Sequence, residues 1–153
     1  STMFSRAITK EMVKFFRENL ARYNMGIEDR MKTKIGLLSG GQRQVVTLLM
    51  CTLSVPKLLL LDEHTAALDP ATAKKVMEIT RTIVEENHIT TMMITHNLQQ
   101  ALDTGNRTIM MDSGEIVYDV AGEEREKLSV QDLVRLFGEK RNRELTNDRM
   151  MLG

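Results

Sequence analysis

The sequence predicts an α/β fold, in which parallel core strands have flanking helices and an all-helical lobe lies at the N-terminus. Two short runs of aliphatic and β-branched residues, 57–62 and 89–95, have the composition of buried parallel strands. A helical pattern follows each run, and a strand–helix–strand–helix order is typical of a parallel sheet. In the first third of the chain, apolar residues recur at helical spacing instead.

Composition is ordinary for a globular protein and excludes several functional classes. A chain of 153 residues suggests one domain that is long enough to bury a core. Lys plus Arg and Asp plus Glu are both 21, so the balanced charge gives no reason to expect nucleic acid or an anionic membrane as partner. The single cysteine, Cys51, excludes an internal disulfide framework and fits a reducing compartment. No apolar run has the length of a membrane span, so we expect any membrane association to use partner subunits.

The first predicted helix runs from Thr9 to Tyr23 and carries one apolar face. The residues at this spacing are Met12, Phe15, Phe16 and Leu20. Gly26 has the position of a left-handed cap that ends the helix. One further turn is expected over 27–31, and a connector over 33–37.

Two longer helices are predicted in the middle of the chain. One covers 40–53, with Ser39 as its N-cap and Pro56 marking the break after it. The other begins at Pro70, with Asp69 before it, and continues to about Glu86. Its expected buried stripe consists of Val76, Ile79, Ile83 and Val84.

The last third is predicted to contain a short helix, a hairpin and a final helix. The short helix covers 97–102, and a glycine turn over 112–114 joins strands at 107–111 and 115–118. Ser129 and Asp132 form a weaker variant of a capping box before an apolar helical pattern, and a charged tail follows from Glu139. We therefore expect a helical portion over 1–54, an α/β core portion over 55–119, and a C-terminal helix and tail over 120–153.

Four local patterns carry chemistry. A helix N-terminus presents unpaired N–H groups, and the two glycines of Ser39-Gly40-Gly41 let a phosphate approach them closely, although an ordinary capped turn has the same sequence. Asp62 and Glu63 follow the aliphatic strand, at the sheet edge where open α/β sheets bind ligands. The third pattern is Ala67-Leu68-Asp69-Pro70, and the fourth is a histidine at the end of the second strand, His96.

In this order the patterns resemble the signature motif, Walker B strand, D-loop and H-loop of the ABC-type ATPases, which have a P-loop NTPase fold. The similarity is closest to the ATP-binding subunits of bacterial importers, since Thr65-Ala66-Ala67-Leu68-Asp69 resembles the transporter form of the D-loop. The resemblance implies an ATPase that uses ATP and Mg²⁺. It also implies a head-to-tail dimer with a second ATPase subunit, transmembrane permease subunits as partners, and a cytoplasmic position at the inner face of the membrane.

The resemblance also implies a role for each motif residue. Asp62 would hold the Mg²⁺ shell through water, and Glu63 would be the base, or orienter, of the attacking water. His96 would contact the γ-phosphate. The nucleotide-binding residues would be Ser39, Gly40, Gly41, Gln42 and Asp69. Asp69 is also explained as a helix N-cap, and the two roles can coexist.

One motif of the family is missing from these 153 residues. A P-loop requires Gly-x-x-x-x-Gly-Lys followed by Ser or Thr, and the nearest approach, Gly36 to Gly41, is followed by Gln42 in place of lysine. The resemblance covers roughly Thr9 to Phe137, the second half of an ATPase domain. We therefore expect a fragment, or a product of a split or truncated gene, that is inactive alone and has an unpaired sheet edge.

Two other functions remain open at the level of sequence. The chain could be a soluble ABC protein acting on DNA or ribosomes, although it has no heptad run and no basic stripe. It could also be a non-enzymatic remnant that serves as an interaction module. His64 stands where many relatives carry proline, which predicts a local difference in the loop. The three histidines lack metal-ligand spacing.

Overall fold

The computed structural model describes residues 9–139 and divides into two compact units, with the boundary between Ile94 and Thr95. The helices and strands of the first unit are α1 (Lys10–Arg22), α2 (Gly40–Cys51), β1 (Leu59–Asp62), α3 (Pro70–Glu86) and β2 (Thr91–Ile94). Two short 3-10 helices, Glu28–Arg30 and Ile35–Leu37, lie between α1 and α2. The second unit contains α4 (Leu98–Asp103), β3 (Arg107–Asp112), β4 (Glu115–Ala121), α5 (Gly122–Glu126) and α6 (130–139).

The N-terminal lobe is helical, as the sequence predicts, and polar contacts fasten it to α3. Helix α1 ends before Asn24 and Gly26, both of which adopt left-handed backbone conformations. Lys75 on α3 donates a hydrogen bond to the Asn24 carbonyl at 2.5 Å, and Arg22 forms an ion pair with Glu86. Of the predicted apolar face of α1, only Leu20 is fully buried, and Phe15 is exposed. The buried stripe of this helix is therefore narrower than the apolar spacing predicts.

Helix α3 is the central helix of the first unit, and its bounds agree with the prediction. Asp69 caps it by accepting a hydrogen bond from the Thr72 N–H at 3.0 Å, and Pro70 occupies its first turn. The predicted stripe is buried apart from Val84, which is half-buried. This stripe belongs to one continuous core with residues of α1, α2 and β1. Its buried members are Leu20, Tyr23, Ile27, Val45, Leu48, Leu49, Leu61, Val76, Ile79, Ile83 and Ile89.

Strands β1 and β2 are parallel, as predicted, but the helices of the described chain cover only one face of their sheet. Leu61 is buried in the core, with Leu59 and Met93 packed beside it. On the opposite face Leu60 is 65% exposed and Met92 is 52% exposed. The prediction of a strand covered on both faces is therefore wrong for residues 9–139. Within them β1 pairs only with β2, so each strand has an edge without a strand partner.

The second unit contains the predicted hairpin, and an arginine that the sequence does not single out connects this hairpin with α4. Strands β3 and β4 pair antiparallel around the Ser113-Gly114 turn, with an irregularity between Met110 and Met111. From α5, which was not predicted, Arg125 reaches the C-terminal end of α4. Its guanidinium donates to the carbonyls of Leu102 at 2.5 Å, Thr104 at 2.7 Å and Ala101 at 3.3 Å, and its Nε donates to Thr108 Oγ1 at 2.8 Å.

Helix α6 has the reciprocal cap that the sequence predicts. Asp132 accepts a hydrogen bond from the Ser129 N–H at 3.0 Å, and Ser129 Oγ accepts one from the Asp132 N–H at 3.2 Å. The charged tail after Glu139 lies outside the described residues. No helix in the range 9–139 is long and apolar enough to cross a bilayer.

Candidate functional site

The turn at Ser39 is a complete capping box at the start of α2. Ser39 Oγ accepts a hydrogen bond from the Gln42 N–H at 3.2 Å, and Gln42 Oε1 accepts one from the Ser39 N–H at 3.0 Å. Gly40 and Gly41 thus occupy the first two positions of the helix, whose N–H groups have no acceptor within the helix. The sequence predicts this N-cap correctly, and helix N-termini in general favour a nearby anion.

Gln42 has a structural function in addition to its predicted place in the nucleotide site. Its Nε2 donates a hydrogen bond to the Met25 carbonyl at 3.0 Å, and its Oε1 also accepts one from Arg30 at 3.4 Å. One side chain therefore fixes the turn to the helical lobe that precedes it. These contacts hold the N-terminus of α2 in place. The nucleotide-binding role of Gln42 stays a prediction.

Gly41 has an intramolecular reason to lack a side chain, whereas a Cβ on Gly40 would meet only the end of a leucine side chain, which can move aside. A Cβ on Gly41 would lie 2.5 Å from Thr72 Cγ2, and a Cβ on Gly40 would lie 2.9 Å from Leu68 Cδ2. Gly41 is buried, so the N-terminus of α2 packs directly against the N-terminus of α3. The structure thereby brings the Ser39 turn and the Asp69 cap together. The sequence gives no sign of this contact, which depends on Thr72 and Leu68.

Asp69 caps α3 in the manner that its sequence position predicts. The Thr72 side chain and backbone N–H both lower the pKa of the Asp69 carboxyl, so the cap is ionised over the ordinary pH range. The positive end of the α3 dipole also favours this charge. The helix cap explains Asp69 fully as a structural residue and leaves its predicted contribution to nucleotide binding open.

The carboxyl end of β1 presents the two predicted acids in different environments. Asp62 is the last residue of the strand and is exposed, whereas Glu63 is half-buried. Glu63 has a left-handed backbone with φ of 44°, and its N–H donates to the Ile94 carbonyl at 3.0 Å. A residue other than glycine in this conformation is uncommon, and such strain often occurs at functional sites. The strand therefore ends in a sharp turn at the residue that we expect to be the base.

His64 anchors this turn to α3. Its Nε2 lies 3.2 Å from Thr80 Oγ1, while the Thr80 hydroxyl donates to the Val76 carbonyl at 2.8 Å. Because the hydroxyl proton is used in that bond, Nε2 is the donor toward Thr80. Burial lowers the pKa of His64, in accord with a neutral ring. The contact between His64 and Thr80 supports the loop after Glu63, and a difference of this loop from that of relatives with proline stays a prediction.

His96 is the only predicted site residue in the second unit. It is exposed, and it lies between Thr95 and Asn97, the N-cap of α4. The Asn97 side chain accepts a hydrogen bond from the Gln100 N–H at 2.9 Å, so the backbone after the histidine is fixed by a capped helix. Ser39, Gly40, Gly41, Gln42, Asp62, Glu63 and Asp69 all belong to the first unit.

The acids of the described chain fit one kind of metal binding. Within residues 9–139, no three His, Cys, Asp or Glu side chains are grouped so that they could hold an ion. Mg²⁺ does not require such a group, since it usually binds one or two carboxylates together with phosphate oxygens and water. An exposed Asp62 at the end of a parallel strand meets that requirement.

Sequence comparison connects these features with a family. A family model described as ABC transporter matches residues 3–66. A tyrosine transport ATP-binding protein of Clostridioides difficile is 49% identical over 114 residues, which are 74% of this chain and 45% of that protein. This chain is therefore similar to the ATP-binding proteins of ABC transporters. Its similarity extends to a phosphonates import ATP-binding protein of Haloarcula marismortui, 34% identical over 86% of this chain and 48% of that protein.

Solved structures agree with this assignment. An ATP-binding cassette of an ABC transporter superposes with a TM-score of 0.64 and 26% identity, over 88% of this chain and 53% of that one. A nucleotide-free ATP-binding cassette gives a TM-score of 0.64 and 25% identity, over 86% and 51%. The fold is therefore part of the ABC ATPase fold, as the sequence predicts. The chain spans about half the length of the relatives and cassettes named here.

Proposed function

We propose that this chain supplies the signature-motif and Walker B half of an ATPase domain that drives solute import. One observation supports this most strongly. The Ser39 turn and the Asp69 cap pack together through Gly41 and Thr72, in the same unit as the strand that ends in Asp62. An importer-type ATPase needs both kinds of element: helix N-termini that face the nucleotide of a second subunit, and a carboxylate strand end that serves its own nucleotide site.

In this proposal the Ser39 turn binds the γ-phosphate of a nucleotide held by a facing subunit. The N–H groups of Gly40 and Gly41 and the dipole of α2 favour a negative charge at this point. Two such subunits would form a head-to-tail sandwich that closes on ATP binding and reopens after hydrolysis. Asp69, at the neighbouring helix N-terminus, would contribute to the same contact between subunits.

The carboxyl end of β1 would carry out the water chemistry. Asp62 would hold Mg²⁺ through water, and the ion would neutralise charge on the phosphate oxygens. Glu63 would orient the attacking water and accept its proton, with its carboxylate placed by the left-handed turn and the His64–Thr80 contact. His96 would contact the γ-phosphate as a hydrogen-bond donor.

The partners follow from the same proposal. An importer ATPase acts on transmembrane permease subunits, which would hold it at the inner face of the membrane, and the helical lobe over 9–37 would meet them. The relatives are named for tyrosine, methionine and phosphonates. Such different names fit a common type of ATPase subunit, with the transported substrate selected by other subunits.

The isolated chain is expected not to hydrolyse ATP, because its 153 residues contain no lysine in a phosphate-binding glycine loop. The assay is magnesium-dependent phosphate release by the purified chain, with Glu63→Gln as the control. Turnover by the chain alone that Glu63→Gln abolishes would contradict this expectation. A pull-down with the tagged chain distinguishes the two kinds of partner. Capture of permease subunits would support the importer assignment, whereas capture of ribosomes would support a ribosome-directed function.

A further inference from the structure

Helix α4, which begins directly after His96, is held in place mainly by polar contacts. It has six residues, Leu98–Asp103, and none of these described residues is fully buried. A helix this short is not stable by itself. At its N-terminal end the Asn97 N–H donates to Thr95 Oγ1 at 3.1 Å, and the Thr95 hydroxyl donates to Gln100 Oε1 at 2.6 Å. Because these bonds connect the residues on both sides of His96 with the first turn of α4, the backbone at His96 is fixed while that turn is formed.

The other end of α4 is bound by Arg125. The last carbonyls of a helix have no partner within the helix, and a cation at this end is favourable. The Arg125 guanidinium donates to the carbonyls of Leu102 at 2.5 Å and Thr104 at 2.7 Å. The Thr108 hydroxyl adds a bridge, because it accepts from Arg125 Nε at 2.8 Å and donates to the Ala101 carbonyl at 2.8 Å. The C-terminal end of α4 is therefore attached to both α5 and β3.

We propose that Arg125 is a positioning residue for His96, an inference that rests on the proposed function. Arg125 acts through α4, since it binds the carbonyls at one end of a helix whose other end fixes the backbone at His96. Six residues are fewer than two helical turns, so loss of the contacts at one end opens the helix as a whole. Opening of α4 releases His96 from the position in which it would contact the γ-phosphate. All of these residues belong to the second unit.

Three variants and one control separate this role from the general stability of the second unit. Arg125→Ala removes every guanidinium contact, and Arg125→Lys keeps the charge without the planar fork. Thr108→Val removes only the bridging hydroxyl, and it serves as the milder variant where Arg125→Ala fails to fold. The matched control is Arg107→Ala. Arg107 forms an ion pair with Asp119 at 2.5 Å, and its side chain lies on the opposite face of β3 from Thr108.

The first readout is NMR of the full 153-residue chain without nucleotide. The order parameter of the His96 amide should be about 0.85 in the wild type, as in a rigid backbone, and should fall to about 0.6 or below in Arg125→Ala. The Ala101 N–H, which donates to the Asn97 carbonyl at 2.9 Å, should exchange at least about tenfold faster in this variant. Arg125→Lys and Thr108→Val should give smaller changes in the same direction. Arg107→Ala should change the exchange rate by no more than about twofold, because its contact does not involve α4.

The second readout is ATP turnover by the chain mixed with a second polypeptide that carries the P-loop half of an ABC ATPase domain. Arg125→Ala should lower kcat by about tenfold and leave KM for ATP nearly unchanged, because a contact made in the transition state is lost. Arg125→Lys should restore part of this loss. In a His96→Ala background, Arg125→Ala should lower kcat no further, since Arg125 acts through His96. A purely structural role would lower kcat by the same factor in both backgrounds.

Three results would overturn the positioning role. They are an unchanged order parameter of the His96 amide in Arg125→Ala, an equal change in Arg107→Ala, and an additive loss of turnover in the His96→Ala background. The two proposals fail separately. A wild-type mixture that does not hydrolyse ATP would contradict the proposed function, and the NMR readout would then decide alone whether Arg125 holds the backbone at His96. ATP hydrolysis by the mixture together with a rigid His96 amide in Arg125→Ala would do the reverse.

Discussion

Gly41 offers the sharpest test of how the two motif helices are held together. A Cβ at this position would lie 2.5 Å from Thr72 Cγ2, 3.3 Å from Met25 Cε and 3.5 Å from Val76 Cγ2. Overpacking of this kind costs about 1–3 kcal/mol. Alanine also restricts the unfolded chain, which offsets about 0.4–1 kcal/mol of that cost. We therefore expect Gly41→Ala to lower the free energy of unfolding by about 1.3 kcal/mol, the midpoint of a range of about 0–2.6 kcal/mol.

A double-mutant cycle isolates the contact that causes this loss. Thr72→Ala removes the methyl group that the new Cβ would meet, so the double variant Gly41→Ala/Thr72→Ala should recover about 1 kcal/mol of coupling energy. Gly36→Ala is the control, because nothing lies within 4 Å of a Cβ there, and it should change stability by less than about 0.5 kcal/mol. Urea unfolding followed by far-UV circular dichroism gives the free energy of unfolding of the wild type and of the four variants.

The result that would refute this reasoning is a stable Gly41→Ala variant with no coupling to Thr72. In that case the glycine would not be required for helix packing. Its small size would then serve only the approach of a ligand to the backbone, and the close packing of α2 on α3 would not explain how the Ser39 turn is positioned.

Three further perturbations test the local structure. Ser39→Ala should cost about 1 kcal/mol in urea unfolding because the Gln42 N–H loses its acceptor, and Ser39→Asp should restore most of it; no loss would contradict the capping box. Arg125→Ala should lower the stability of the second unit by about 2 kcal/mol, with Arg125→Lys only partly effective, since lysine lacks the planar fork. In Arg125→Ala, faster hydrogen exchange over residues 98–112 with unchanged exchange in α1 would confirm that the loss of stability lies in the second unit. The Arg107 guanidinium holds the pKa of the Asp119 carboxyl below its ordinary value. The ion pair therefore stabilises the fold at pH values above the ordinary pKa, and this stabilisation is lost as the pH falls through the lowered pKa. Arg107→Gln should raise the Asp119 pKa in an NMR titration, and an unchanged pKa would show that the ion pair is absent in solution.

The sequence predicts best those features that depend on neighbouring residues. The start of α3 follows from Asp69 and Pro70, and the α2 and α6 caps follow from Ser39 and Ser129, because capping is decided within one turn of the chain. Helix α5 was not predicted because its Gly-Glu-Glu-Arg-Glu sequence has no apolar stripe.

Long-range packing limits the prediction of the site. The aliphatic composition of β1 shows that both faces favour burial, but it does not show whether the chain itself provides the cover, and Leu60 is in fact exposed. The contacts between Gly41 and Thr72 and between His64 and Thr80 join residues that are far apart in sequence. The motif residues are therefore predicted from the sequence, whereas the side chains that contact them are seen only in the structure.

The most direct test of the proposed function is ATP hydrolysis by the 153-residue chain mixed with a second polypeptide that carries the P-loop half of an ABC ATPase domain. We expect magnesium-dependent turnover by the mixture, none by either polypeptide alone, and loss of turnover with Glu63→Gln in the chain. A mixture that copurifies but does not hydrolyse ATP, or one whose turnover is unchanged by Glu63→Gln, would contradict it.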